Sequence, residues 1–229
     1  MAKIQHERTE SLIGAEAMKK LGQAKVLIFG LGGVGGYVVE ALARSGIGQI
    51  DLVDGDVIDE TNINRQLIAT HKNIGESKVS EFAKRIHDID PDIVVNEYNC
   101  FYLPDKQDMF NWEQYDYIVD AVDTVTAKID IIRQAKGKGL KVISSMGTGN
   151  KLDPSQFKIT DISKTKVCPL AKVVRKKLKE EGIQDVKVLY SEEIPVETES
   201  KTPASISFVP SVAGLLIARE IIKDIIGDK

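Results

Sequence analysis

A glycine-rich loop directly after an apolar run constrains the fold of this 229-residue chain more than any other feature. Residues 26–29 are typical of a buried parallel strand, and glycines follow them at G-x-G-x-x-G spacing. The glycines of the loop are Gly30, Gly32, Gly33 and Gly35. Glycine is needed where the chain turns tightly, approaches a phosphate and lets the next helix pack closely. The pattern therefore predicts a nucleotide phosphate at the N-terminus of a helix over residues 34–44.

A polar set downstream of this loop indicates which nucleotide is bound. The set consists of Asp54, Asp56, Asn62, Arg65, Gln66, Lys78 and Asp123. Asp54 ends the second predicted strand, where a carboxylate can accept hydrogen bonds from both ribose hydroxyls. Arg65, three residues after Asn62 on a short predicted helix, could bind a phosphate in a bidentate manner. The loop alone does not separate NAD from ATP, but the whole set favours a triphosphate with Mg²⁺ over a hydride carrier.

Lys78 and Asp123 lie at the ends of predicted elements, where a side chain can reach a ligand. Lys78 begins a predicted helix over residues 77–89, so its ammonium could face a phosphate. Asp123 follows a predicted strand at the sheet edge where ligands bind in open α/β folds, and its hard oxygens suit Mg²⁺. The alternative for Asp123 is that it caps the helix predicted over residues 125–136, and the two roles could belong to one residue or be divided between Asp123 and Thr124.

These residues and their order resemble the ThiF/MoeB/HesA family, the bacterial relatives of ubiquitin-activating enzymes. Five motifs recur in order over residues 5–150: the glycine loop, Asp54-x-Asp56, Asn62-x-x-Arg65-Gln66, Gly75-x-x-Lys78 and Asp120-x-x-Asp123. The resemblance implies adenylation of a carboxylate with ATP and Mg²⁺ and release of pyrophosphate. It implies that Asp54 binds the ribose and Asp123 the Mg²⁺. It assigns the phosphates to Asn62, Arg65 and Lys78.

The same resemblance implies a homodimer. Arg8, in the N-terminal segment His6-Glu-Arg-Thr-Glu10, matches an arginine that reaches the ATP of the partner subunit in this family. Adenylation places negative charge on the leaving pyrophosphate, and arginine, lysine and a metal ion stabilise that charge without a covalent step. The predicted catalytic residues are therefore Arg8, Arg65, Lys78 and Asp123.

The alternation of strand and helix patterns predicts a Rossmann-like α/β fold. We expect a mainly parallel sheet, helices on both faces and a C-terminal extension of mixed strands and helices. The predicted strands lie near residues 25–29, 49–53, 93–98, 117–121 and 140–144. The predicted helices lie near residues 10–21, 34–44, 77–89, 125–136 and 211–226. One domain is expected over residues 1–229, with a nucleotide-binding half (1–150) and an acceptor and partner half (151–229).

Composition excludes several classes of protein. Hydrophobic residues make up 42% and charged residues 28% of the chain, which is ordinary for a globular protein, and the net charge is -3. Two cysteines do not make a disulfide framework, and the sequence opens without a signal-peptide pattern, so we expect a cytoplasmic protein. The longest apolar stretch, residues 209–217, is too short to span a membrane.

The second half carries a strongly basic helix. A strand is predicted over residues 157–162, and a helix begins at Pro169 with Leu170, Val173, Val174 and Leu178 on its apolar face. Between residues 164 and 179 there are seven cationic residues and no acidic one. The cations on the polar face are Lys172, Arg175, Lys176 and Lys179. A solvated helix face is the simple interpretation, and contact with a nucleic-acid backbone is the functional one.

Residues 161–171, the basic helix and residues 190–195 resemble the family's tRNA threonylcarbamoyladenosine dehydratase branch. That resemblance implies ATP-dependent activation of the threonyl carboxylate at tRNA position 37, followed by cyclisation. The basic helix would then contact the anticodon arm. No protein nucleophile is needed, so we interpret Cys168 and Cys100 as core residues. His6, His71 and His87 lack the spacing of a metal site or catalytic triad, and residues 192–203 are expected to form a mobile crossover loop.

Two other functions stay open at this point. One is an adenylyltransferase for the Gly-Gly tail of a ubiquitin-like sulfur carrier, which would need a carrier or sulfur-delivery partner. Such enzymes usually carry C-x-x-C zinc motifs, and this chain has none. The other is an NAD-binding reductase or a nucleotide sensor, although no set of hydride-transfer residues accompanies the glycine loop.

Overall fold

The apolar runs form one sheet in the computed structural model, which describes residues 3–200 and 202–227. The strands are β1 (Lys25–Phe29), β2 (Gln49–Val53), β3 (Glu97–Tyr98), β4 (Tyr117–Asp120), β5 (Lys141–Ser145), β6 (Phe157–Asp161) and β7 (Lys187–Ser191). Their spatial order is β3-β2-β1-β4-β5-β7-β6. All neighbouring strands are parallel except β6 and β7, which are antiparallel. The predicted Rossmann-like fold class is confirmed.

Helices cover both faces of this sheet. They are α1 (Glu7–Ile13), α2 (Ala15–Gln23), α3 (Gly35–Arg44), α4 (Lys78–Ile89), α5 (Val125–Gly137), α6 (Pro169–Glu180) and α7 (Phe208–Ile226). Successive side chains of β1 point to opposite faces. Val26 and Ile28 therefore pack with α3, α4 and α7, whereas Leu27 and Phe29 pack with α5 and aromatic side chains that include Trp112. This double burial explains why β1 is apolar from Val26 to Phe29.

The order and bounds of the elements along the sheet differ from the prediction in several ways. The helix predicted over residues 10–21 is split at Gly14, whose φ of +87° breaks the helical path between α1 and α2. The strand predicted over 93–98 is reduced to β3, with an isolated bridge from Val94 to Gln49. Strand β7 was not predicted. It pairs with β5 on one side and β6 on the other, so a single sheet joins the two predicted halves.

The basic helix begins at Pro169 as predicted, but fewer of the predicted apolar-face residues are buried. Ala171, Val174 and Leu178 are buried in a core cluster with Cys168, whereas Val173 is exposed. Cys100 was expected in the core and is only partly buried against the aromatic cluster. Among the described residues, no helix has the length and apolar character needed to cross a membrane.

Candidate nucleotide-binding and acceptor site

The glycine loop connects β1 to α3 at the carboxyl edge of the sheet. Gly30 has a φ of +87°, and a Cβ there would lie 2.7 Å from the Ala121 carbonyl oxygen. A Cβ at Gly35 would lie 1.8 Å from the Gly30 carbonyl oxygen, so no side chain fits at that position. By contrast, a Cβ at Gly32 would meet only the Gln66 side chain, at 3.9 Å. Protein packing therefore demands glycine at 30 and 35, whereas position 32 leaves room for a ligand.

The Asp54 carboxylate fixes the conformation of the loop. Its Oδ2 accepts a hydrogen bond from the Leu31 amide at 2.6 Å, and its Oδ1 accepts one from the Asp56 amide at 2.8 Å. Burial raises the pKa of this carboxyl, and the positive charge of Lys78 together with both amide bonds opposes that rise. Each carboxylate oxygen can accept more than one hydrogen bond, so these contacts are compatible with ribose binding.

Lys78 is the first residue of α4 and is buried beside Asp56. Its Nζ lies 2.8 Å from Asp56 Oδ2, and the lysine side chain is 5% exposed against 51% for the aspartate. The Lys78 amide also donates to the Asp56 carbonyl oxygen at 3.1 Å. These contacts bring two predicted site residues together across 22 positions of sequence and orient the ammonium near Asp54.

The segment from Asp59 to Gln66 forms a short 3₁₀-helix and turn rather than the predicted helix. Asp59 caps the Glu60–Asn62 turn, and the Asn62 Oδ1 accepts the Asp59 amide at 3.2 Å. The Arg65 guanidinium donates instead to the Thr61 carbonyl oxygen and to Asn64, each at 2.8 Å. Asn62 is therefore engaged in its own turn, while Arg65 is half-buried and bonded to two exposed residues.

Gln66 is buried below Gly32 and carries an unpaired polar atom. Its Oε1 has no hydrogen-bond partner within the described part of the chain. A buried polar atom without a partner is costly, and a ligand group can relieve that cost. The space over Gly32 and this free Gln66 oxygen fit a bound nucleotide at the glycine loop.

Asp123 lies exposed in the turn between β4 and α5. The helix cap is Thr124, without a side-chain capping bond, so the alternative interpretation of Asp123 as a helix cap is wrong. Asp123 Oδ1 accepts only a long hydrogen bond of 3.4 Å from the Thr124 hydroxyl. Its oxygens are accordingly available to a cation. Over residues 3–200 and 202–227, no cluster of three or more histidine, cysteine or acidic side chains is arranged as a metal cage.

The sequence reasoning missed Lys128, which is fully buried in α5 and paired with fully buried Asp120 at 2.8 Å. The apolar periodicity of α5 could have identified Lys128. Lys128 occupies the same helical stripe as Ile131, Ile132 and Ala135, all of which are buried. A charged residue within an apolar stripe indicates a buried partner.

The predicted crossover loop is attached to the segment that follows β5. Asn150, at a φ of 57°, accepts the Ala204 amide through its Oδ1 at 2.6 Å and the Val196 amide through its carbonyl at 2.7 Å. The Asn64 side chain donates to the Ser205 carbonyl oxygen at 3.1 Å. This bond links the segment directly after the predicted crossover loop to the neighbour of Arg65, so the two halves predicted from the sequence are in contact here.

The predicted nucleic-acid residues of α6 do not all face solvent. Lys172, Lys176 and Lys179 are exposed. Arg175 is half-buried and donates to the Thr165 carbonyl oxygen at 2.8 Å and the Thr165 hydroxyl at 2.6 Å. Arg175 therefore holds the loop before α6, and the three predicted lysines, together with the equally exposed Lys177, form the accessible basic face.

Three further residues that the sequence analysis discussed, Cys168, His6 and Arg8, lie outside the glycine loop and its polar neighbours. Cys168 is buried in the core beside α6, as expected. His6 is buried and lies 3.3 Å from Asp90. Arg8 is exposed on α1, four residues before exposed Leu12 and therefore on the same helix face.

Comparisons with known proteins give a matching family and several similar proteins. The ThiF family profile matches residues 6–229. A tRNA threonylcarbamoyladenosine dehydratase of Bacillus subtilis is 41% identical over 242 aligned positions, which cover 98% of this chain and 95% of that protein. The protein of the same name from Escherichia coli is 37% identical, over 75% of this chain and 64% of its own length. The structure of E. coli tRNA N6-threonylcarbamoyladenosine dehydratase with ATP superposes at a TM-score of 0.91 and 31% identity, covering 96% of this chain and 93% of that one.

Proposed function

Since this chain belongs to the ThiF family, we propose that it catalyses the ATP-dependent dehydration of threonylcarbamoyladenosine in tRNA. The observation that carries the proposal is the similarity to the B. subtilis dehydratase, because it extends over 98% of this chain and 95% of that protein. The E. coli neighbour with ATP bound has the same fold, which supports a nucleotide at the glycine loop.

The proposed chemistry is carboxylate activation followed by cyclisation at tRNA position 37. The threonyl carboxylate attacks the α-phosphorus of ATP, and pyrophosphate leaves. The carbamoyl group of the same nucleoside then attacks the activated carbonyl carbon, and AMP leaves. The nucleoside has lost one water in total. Both nucleophiles belong to the substrate, so buried Cys168 needs no chemical role.

Each nucleotide-site residue has a role in this proposal that its contacts allow. Asp54 binds the ribose, while Asn62, Arg65 and Lys78 bind phosphates. Lys78 is the best supported of the three, because its ammonium is buried beside Asp56 near the glycine loop. A Mg²⁺ ion would take the Asp123 carboxylate and phosphate oxygens of ATP, the usual arrangement for this ion, and would supply charge stabilisation for the departing pyrophosphate.

The basic face of α6 is the proposed contact for the tRNA anticodon arm. Lys172, Lys176 and Lys179 are exposed, as is the neighbouring Lys177, and each can neutralise one phosphate. Replacing Lys172, Lys176 and Lys179 by glutamine should weaken tRNA binding and reduce the slope of log Kd against log salt by about 2 to 3. Arg175→Gln serves as the contrast, since Arg175 binds Thr165 and should alter stability more than the salt slope. Equal tRNA affinity in the triple variant would exclude this face.

The proposed assembly is a homodimer in which Arg8 reaches the partner's ATP. Arg8 lies near two strongly exposed apolar side chains, Ile4 at 86% and Leu12 at 81%. Large exposed apolar side chains beside a cation favour a protein contact at this helix. Cytoplasmic localisation and a sulfur-delivery or carrier partner stay predictions from the sequence.

Nucleoside mass spectrometry tests the function directly. The chain is incubated with Mg-ATP and tRNA that carries threonylcarbamoyladenosine, and the tRNA is then digested to nucleosides. We expect ATP-dependent loss of one water from that nucleoside, with AMP and pyrophosphate formed in equal amounts. An unchanged nucleoside, with adenylation of a Gly-Gly carrier protein instead, would replace the dehydratase by the sulfur-carrier activity.

A further inference from the structure

Lys128 is a fully buried ammonium at the junction of β4, β5 and α5. Its Nζ donates to Asp120 Oδ2 at 2.8 Å, to the Ser145 carbonyl oxygen at 2.9 Å and to Ser144 Oγ at 3.3 Å. These partners use all three donors of the ammonium. The Ser144 hydroxyl in turn donates to Asp120 Oδ2. One lysine thus connects the carboxyl ends of two neighbouring strands, at the edge of the sheet where the nucleotide is proposed to bind.

This network continues to the glycine loop through the turn after β4. Asp120 Oδ1 accepts the Val122 amide at 3.2 Å, and the Ala121 amide donates to the Phe29 carbonyl oxygen at 2.8 Å. A Cβ on Gly30 would lie 2.7 Å from the Ala121 carbonyl oxygen, so turn and loop are in direct contact. The position of Asp123, one residue beyond Val122, therefore depends on how Asp120 is held.

We propose that Lys128 is a positioning residue for the adenylation step: it fixes the turn of residues 121–124 against the glycine loop, and with it Asp123. A buried ion pair is a poor source of stability, since well-packed neutral side chains often do as well. What Lys128 supplies is geometry, because its three bonds to Asp120, Ser144 and Ser145 fix the relative positions of two strand ends. The proposal rests on the proposed role of Asp123.

The test separates positioning from stability. Lys128→Met alone leaves the Asp120 charge buried without its partner and should lower the melting temperature strongly. The double variant Asp120→Asn/Lys128→Met removes both charges and should melt within about 5 °C of the wild type. We expect its kcat for dehydration to be at least about tenfold lower and its Mg²⁺ half-saturation to be higher, with the Kd for ATP changed less than about threefold. If Lys128 only stabilised the fold, its loss would not lower kcat while leaving the Kd for ATP nearly unchanged.

A stable double variant with wild-type kcat and Mg²⁺ dependence would overturn the proposal. If the double variant does not fold, Ser144→Ala provides the decision. It keeps both charges and removes one bond to each, so it should lower kcat in the same direction by at least about twofold. Unchanged kcat in Ser144→Ala would then refute the proposal. The variant Asp123→Asn is measured in parallel to test the metal role of Asp123 separately. If its Mg²⁺ titration matches that of the active wild type, Asp123 does not bind the metal ion. The positioning role of Lys128 is then decided by the kcat of the Lys128 and Ser144 variants alone.

Discussion

At the scale of single residues, Lys78 is the site cation whose role can be isolated most cleanly. Its partner Asp56 is half-exposed and would stay solvated after Lys78→Met, so the fold should tolerate the change. The variant lacks the charge that stabilises the leaving pyrophosphate, and we expect pyrophosphate release to fall by about 100-fold. Lys84→Met in the same helix is the matched control, because Lys84 is 67% exposed and its ion pair with Glu81 lies within that helix. Equal rates in both variants would remove Lys78 from the catalytic set.

Asp224, near the end of α7, provides a pH prediction. Burial raises the pKa of its carboxyl, but hydrogen bonds from Lys187 and Tyr117, together with the positive charges of Lys187 and Lys141, outweigh burial and leave the pKa below its ordinary value. A folded-state pKa below the unfolded one adds stability above the unfolded pKa, and that stability is lost as pH falls through the folded pKa. Asp224→Asn should therefore melt below the wild type at pH 7, and the gap should narrow as pH falls below about 4. Thermal melts across pH test this, with exposed Glu16→Gln as the control; a gap that is constant with pH would contradict it.

At the scale of elements, Asn150 should control the mobility of the chain around Val196, because it accepts the amides of Val196 and Ala204. Asn150→Ala removes the side-chain acceptor and disfavours a positive φ. We expect cleavage by a glutamate-specific protease at exposed Glu197 and Glu199 to accelerate about fivefold. Asn150→Asp keeps an acceptor oxygen and tolerates the same backbone conformation, so its cleavage rate should stay near that of the wild type. Equal acceleration in both variants would show that the acceptor oxygen is not what holds the segment.

The site role of Lys78 was predictable from the sequence, whereas the contacts of Asn150 were not, and the difference shows what local sequence patterns can predict. Strands β1, β2, β4 and β5 were predictable, because strands buried on both faces are rich in apolar residues, most clearly in β1 and β4. The glycine loop and the start of α4 at Lys78 were predictable from local spacing. The partners of Asn150 lie up to 54 positions away, and those of Lys128 up to 17, so no local pattern identifies them. The split at Gly14 was equally hidden, because a glycine within a helical pattern is compatible with either outcome.

At the scale of the whole molecule, the proposed dimer makes a prediction about which subunit supplies Arg8. Arg8→Ala and Lys78→Met each inactivate a homodimer if both residues act on the phosphates. After subunit exchange, a mixed dimer has one site with its own Lys78 and the partner's intact Arg8. Equal mixing should therefore restore about a quarter of the wild-type rate per subunit. Sedimentation equilibrium on the wild type establishes first whether a dimer forms.

The reciprocal mixture decides between the two geometries. A subunit that carries both substitutions is mixed equally with wild type. If Arg8 acts across the interface, the wild-type site of each mixed dimer lacks the partner's arginine, so only wild-type homodimers turn over and about a quarter of the rate remains. If Arg8 acts within its own subunit, every wild-type site is complete and about half remains. Exposed Arg8 on α1, beside Leu12, favours the first outcome, because that helix face has room for a second subunit.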